Sequence, residues 1–189
     1  MTNSLSDLTQ QMLDFARQAG ADTADAIAVD GTSISIDVRA GALEHAERSE
    51  GIDVGLRVLI GQRQAIVSAS DAKPDTLRTM AERAVAMANE APEDPHAGLA
   101  DGAQLTTDTD CTSLDMFDAG PEPDPAELQD AAARAEAAAL ENGDISQVQS
   151  ASAAYGRRRI HLAATNGFSG GYTRSENSLS CVAISGSGN

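Results

Sequence analysis

An α+β fold is what this sequence predicts, with antiparallel or mixed sheets and helices packed against them in two similar helix and strand halves. Three observations predict it. Apolar residues recur at helical spacing in three segments, and they alternate with polar residues in the stretches between. An acidic, Pro-rich crossing segment at 91–123 separates a first helix, β-meander and helix half (1–90) from a second helix and β-hairpin half (124–189).

In the first half, Leu5, Leu8, Met12, Phe15 and Ala19 put one apolar stripe on a helix. Gly20 suits its end, because a helix commonly closes on a left-handed residue. Ala26 and Ala28 begin a strand pattern, and Asp30-Gly31 reads as a hairpin turn before Ile34, Ile36 and Val38. Arg39-Ala40-Gly41 interrupts again, Leu43 to Arg48 resumes the pattern, and Gly51 opens a strand through Ile52, Val54, Leu56, Val58 and Ile60. Gly61-Gln62 then returns the chain into Gln64 to Ser68, which completes an antiparallel meander. Pro74 is placed for a first helical turn, with Leu77, Ala81, Ala84, Val85 and Ala88 as the apolar face of a second helix ending near Asn89.

The crossing segment holds four prolines and many aspartates, and Leu114, Met116 and Phe117 are expected to anchor it. Asp124-Pro125-Ala126-Glu127 forms a capping-box pattern that opens an Ala-rich helix with Leu128, Ala131, Ala132, Ala135 and Ala139 as its stripe. Asn142-Gly143 stops that helix. Ile145 and Val148 follow, a turn is expected at Tyr155-Gly156, and Asn166-Gly167 joins two alternating strands. Ser178 to Ile184 reads as a regular strand with an uncovered edge, from which self-association is expected.

Composition excludes some classes of function. A formal charge of -16 repels a phosphate backbone, so direct nucleic-acid binding is not expected. Aromatic residues are 3% with no Trp, which leaves few platforms for stacking bases. No apolar run approaches the roughly 20 residues of a membrane span. Cys111 and Cys181 lie far apart without C-x-x-C spacing or a signal peptide, the pattern of reduced thiols in a cytoplasmic protein.

Four patterns invite chemistry. Gly167-Phe168-Ser169-Gly170-Gly171 matches the G-x-S-x-G of a nucleophile elbow, but an elbow needs a helix next, and strand-like sequence follows Ser169. His45, His96 and His161 all precede that serine, against the chain order of the hydrolase fold. His45 lies near Glu44 and Glu47, yet zinc held as in H-E-x-x-H needs a second histidine one helical turn away, and the next is His96. Asp108-Thr109-Asp110 suggests a calcium loop without the glycine and terminal glutamate that such a loop requires. Arg157, Arg158 and Arg159 form the one basic cluster, fitted either to an acidic partner or to the chain's own carboxylates. No catalytic, metal or substrate-binding residue is assigned from these patterns, and the chain is expected to hydrolyse neither peptides nor esters by itself.

Four stretches together resemble the TldD/PmbA family and, within it, the PmbA or TldE branch. They are Arg39-Ala40-Gly41-Ala42-Leu43-Glu44, the run from Gly55 to Ala65, Leu114-Asp115-Met116-Phe117-Asp118, and Asn166-Gly167-Phe168-Ser169-Gly170. The resemblance implies the N-terminal region of a subunit of a cytoplasmic metallopeptidase that acts in proteolysis and peptide maturation on peptides or unfolded polypeptides. It implies a TldD-type partner carrying zinc on its C-terminal domain, no zinc in this chain, and a sheet edge that guides an extended peptide. Family chains continue into a further domain, which is expected to be absent from this sequence. Two other readings remain: an acidic interaction module unconnected with proteolysis, and a serine hydrolase built on Ser169.

Overall fold

The computed structural model describes residues 4–186. Its elements are α1 (Leu5–Ala19), β1 (Thr23–Arg39), β2 (Ala42–Ile60), β3 (Arg63–Ala69), α2 (Pro74–Glu90), α3 (Pro125–Leu140), β4 (Ile145–Ala164) and β5 (Ser169–Ser185). The strands form one antiparallel sheet in the order β3-β2-β1-β4-β5. The register of β2 on β3 runs from Val54 opposite Ala69 to Ile60 opposite Arg63. An α+β fold with helices packed on the sheet is therefore the observed class.

Three glycine signals that read as turns or strand starts lie inside long strands. Asp30-Gly31 falls within β1, Gly51 within β2, and Tyr155-Gly156 within β4. At Gly31 the reason is close approach, since a Cβ there would sit 2.7 Å from the Arg157 carbonyl oxygen. Tyr155 is buried in a core, a position no turn would give it. The turns at Ala40-Gly41, Gly61-Gln62 and Asn166-Gly167 do form, with Ala40, Gly41, Gly61 and Gly167 all at positive φ.

The chain divides into two compact units that do not follow chain order. The first comprises 1–30, 51–115 and 159–173, and the second 31–50, 116–158 and 174–189. In the first unit, α1 packs on α2 and α2 on β3. Ser4 and Asp7 form a reciprocal capping box at the start of α1, and Gly20, with φ 105°, closes its end. Leu8, Met12, Phe15 and Ala16 of α1 meet Leu77, Met80, Ala81, Ala84 and Ala88 of α2 over Ala24, Ala26, Ala28, Val54, Leu56 and Val58 of the sheet. Each large apolar side chain so buried contributes about 1.5–3 kcal/mol of transfer free energy. The Arg78 guanidinium caps the cluster, 4.4 Å over the Phe15 ring.

The second unit is smaller and built on alanine. Ile34, Ile36 and Val38 of β1 and Ala151, Ala153 and Tyr155 of β4 pack with Leu128 and Ala132 of α3. Small side chains let helix and sheet approach closely. The next position of that helical stripe is Glu136, which is 3% exposed. Its carboxylate accepts the backbone N–H groups of Ala40 at 2.7 Å and Gly41 at 2.8 Å, so α3 holds the β1–β2 turn by two charge-assisted bonds.

The crossing segment differs from the expected anchoring. Leu114 and Phe117 are exposed, and Met116 engages through its backbone, its carbonyl accepting the Ser175 N–H at 3.0 Å. Earlier in the segment, Asp94 N–H bonds the Gln62 carbonyl at 2.8 Å, and the Ala100 carbonyl accepts the Asn166 side-chain amide at 2.9 Å. Both contacts are at strand turns, where spare backbone groups are available. Leu99 and Leu105 are half-buried there. On β5, Leu179 and Val182 are exposed.

Glu136→Ala should lower unfolding stability by about 3 kcal/mol, and Glu136→Gln, which keeps one acceptor oxygen, by about 1–2 kcal/mol. Urea unfolding read by circular dichroism measures both.

Candidate functional site

In the first unit, a cleft of about 520 Å³ lies beside the start of α1. Ser4, Leu5 and Ser6 form one wall, and Ile52, Asp30, Arg159, Ile160, His161, Gly171, Tyr172 and Thr173 supply strand positions. β4 alternation places Arg159, His161 and Ala163 on one face of the sheet, and Ala163 is buried against the α1 core. Gly171 has a steric reason. A Cβ there would lie 2.4 Å from the Ile160 carbonyl oxygen and 3.1 Å from the His161 ring.

His161 ties three elements together. Its Nδ1 is 2.9 Å from the hydroxyl of Thr9 on α1, and its Nε2 is 3.4 Å from the hydroxyl of Ser169 on β5. Thr9, fully buried, donates its one hydroxyl proton to the Ser6 carbonyl at 3.0 Å. With the proton so placed, the Thr9 oxygen accepts from Nδ1–H, and the tautomer assigned on that basis carries a lone pair on Nε2. Burial pushes the His161 pKa below its ordinary value of 6.5, favouring the neutral ring.

Beside it, Arg159 forms a fork with Asp30, Nε donating to Oδ1 at 2.8 Å and a terminal nitrogen to Oδ2. Asp30 raises the Arg159 pKa by accepting that bond, so the guanidinium is matched by a carboxylate of the same chain. Arg157 and Arg158, exposed, make no ion pair among the described residues. The basic cluster thus splits, with one member used internally.

The other sequence patterns stay apart from this cleft. His45 is 3.7 Å from Asp37, and Glu44 engages Arg39. Asp108 and Asp110 turn inward on their own loop. Asp108 accepts the Asp110 N–H at 3.0 Å, Asp110 accepts the Thr112 N–H at 2.9 Å, and the Thr112 hydroxyl bond lowers the Asp110 pKa. Cys111 and Cys181 are free thiols. Among the described residues, no three His, Cys, Asp or Glu side chains converge as a zinc site would require. Nor is any described helix long and apolar enough to cross a membrane.

Ser169 opens β5, and the strand after it rules out the elbow geometry. What sequence reasoning missed is the neighbour of Ser169. Chain order alone sets His161 apart from Ser169, whereas the hairpin brings its Nε2 to 3.4 Å from the Ser169 hydroxyl on the neighbouring strand. The hairpin spacing from Asn166-Gly167 was the signal that could have found this pair. Thr9 and Glu136 were also missed, because each is a polar residue on an otherwise apolar helical stripe.

Residues 24–88 match the family model described as PmbA/TldA metallopeptidase domain 1, and residues 118–189 match the PmbA/TldA metallopeptidase central domain. The chain belongs to the TldD/PmbA family. It is 34% identical over 110 residues to the metalloprotease PmbA of Escherichia coli O157:H7, covering 58% of this chain and 24% of that protein. Among solved structures, TldE from Thermococcus kodakarensis superposes with a TM-score of 0.74 at 14% identity, covering 96% of this chain and 40% of that one. A Bacteroides thetaiotaomicron protein described as a modulator of DNA gyrase gives 0.68 at 19% identity, covering 95% of this chain and 41% of that one. These structural likenesses show the fold. The chain spans about a quarter of the curated relative it matches and two fifths of these structures.

The His161 pKa lies below its unfolded value, so between them the unfolded chain binds more protons. The stability that neutral His161 contributes is full above about pH 6.5 and is lost as pH falls through the folded pKa. The urea midpoint should therefore drop between about pH 7.5 and pH 5.5, with a shallower drop in His161→Gln.

Proposed function

We propose that this chain is the N-terminal region of a PmbA/TldE-type subunit that works with a TldD-type partner in proteolysis and peptide maturation. The observation that carries this is the order of the matches. Domain 1 and then the central domain of the family are recognised along one chain whose fold follows TldE over 96% of its length. The partner's zinc supplies the metal-activated water when bound. This chain's contribution is shape: a sheet with helices on it and a cleft beside α1, in a cytoplasmic assembly acting on peptides or unfolded polypeptides.

In this reading the zinc belongs to the partner; among the described residues no three His, Cys, Asp or Glu side chains converge. Charge also bears on the partner. At -16, the chain favours partners and substrates with basic or neutral surfaces over nucleic acid.

To test the reading, the chain is mixed with a TldD-type protein, and cleavage of an unfolded polypeptide is followed with and without chelator. Chelator-sensitive cleavage that appears only in the mixture, with co-elution of the two proteins, is the expected result. Stoichiometric zinc and chelator-sensitive cleavage by this chain alone would overturn it.

A further inference from the structure

Ser169 was singled out by its glycine-rich motif, and the proposed subunit role makes no use of it. Its hydroxyl is exposed at the first position of β5, and Gly170 and Gly171 follow it, so no bulky neighbour on the same strand shields it. His161 Nε2 lies 3.4 Å away, while Nδ1 is engaged by Thr9 at 2.9 Å. With the Thr9 hydroxyl proton on the Ser6 carbonyl, the neutral ring is protonated at Nδ1 and presents the Nε2 lone pair to Ser169. This reproduces the logic of an activated nucleophile: a hydroxyl, a base in hydrogen-bond reach, and a third group that fixes the base's tautomer. The base and third group here come from β4 and α1, not in the chain order of the G-x-S-x-G hydrolase fold.

We propose that Ser169 is an acylatable nucleophile, with His161 as its base and Thr9 as the residue that positions His161, and that it takes the acyl group of an activated ester. Ser169 Oγ attacks the acyl carbon while its proton passes to His161 Nε2. The bond from that carbon to the leaving oxygen breaks, and the leaving group takes the proton from Nε2. The products are an ester on Ser169, a free alcohol and a neutral His161. The step is acyl capture, independent of metal.

The chain is incubated with p-nitrophenyl acetate in the presence of chelator, and acetylation is mapped by mass spectrometry of proteolytic peptides. Lys73 is the single lysine of the sequence, which limits competing sites. Acetylation at Ser169 is expected, lost in Ser169→Ala and slowed roughly a hundredfold in His161→Gln. Thr9→Val, which keeps the buried shape but removes the hydroxyl, should slow it by a smaller factor. Labelling confined to Lys73, the N-terminus or the cysteines would overturn the proposal, as would Ser169 acetylation at an unchanged rate in folded His161→Gln. If that variant does not fold, nitrogen NMR of the His161 ring in the unaltered chain decides: a proton on Nδ1 supports the assignment, and a proton on Nε2 alone overturns it. Because the chelator removes any metal-dependent reaction, failure here leaves the subunit reading standing, and failure of the partner assay leaves this one.

Discussion

The pairing of β1 with β4 is the constraint on which the rest depends. Within the first unit, Thr165 N–H donates to the Ala24 carbonyl at 2.9 Å, and Ala24 N–H donates to the Thr165 hydroxyl at 3.0 Å. The Arg159–Asp30 fork lies farther along the same two strands. Within the second unit, the missing side chain of Gly31 admits the Arg157 carbonyl. These contacts join residues more than a hundred positions apart. The entropy of closing so long a loop grows only slowly with its length, so an extended ladder of backbone bonds can offset it. Without that ladder, β4 and β5 would have no sheet to join, and His161 would have no α1 to meet.

Two buried polar groups show how this scaffold is held in register. Thr9 and Glu136 each occupy a position on a helical stripe where an apolar residue would pack more simply. Both are satisfied, Thr9 by Ser6 and His161 and Glu136 by the N–H groups of the β1–β2 turn. A buried polar group left alone would cost about 1–3 kcal/mol, so each fixes a single arrangement of helix on strand. One secures a hairpin in the second unit, and the other places the imidazole in the first.

Much of this was legible beforehand. The stripes of α1 and α2, the capping box at Asp124, and the turns at Gly41, Gly61 and Gly167 follow from local rules, because capping and positive φ act within a few residues. The strand lengths were not legible. Gly31, Gly51 and Gly156 carry the same local signal as a turn, and only a neighbouring strand distinguishes a close approach from a reversal. Leu114 and Phe117 were misjudged for a related reason, since an apolar residue on a crossing segment has no preferred side until the surface beneath it is known.

The sequence by itself determined the class, helices packed on antiparallel or mixed sheets, and membership of the TldD/PmbA family, because periodicity and motif order are written along the chain. It also determined the acidic charge and the lack of any local metal-ligand spacing. Tertiary structure alone decided that His161 faces Ser169 and Thr9, that Asp30 occupies Arg159, and that the compact units draw on separated stretches of chain. The physical reason is range. Backbone conformation and capping are settled by near neighbours, whereas the tautomer of an imidazole and the partner of a guanidinium depend on groups that only strand pairing brings within hydrogen-bond distance.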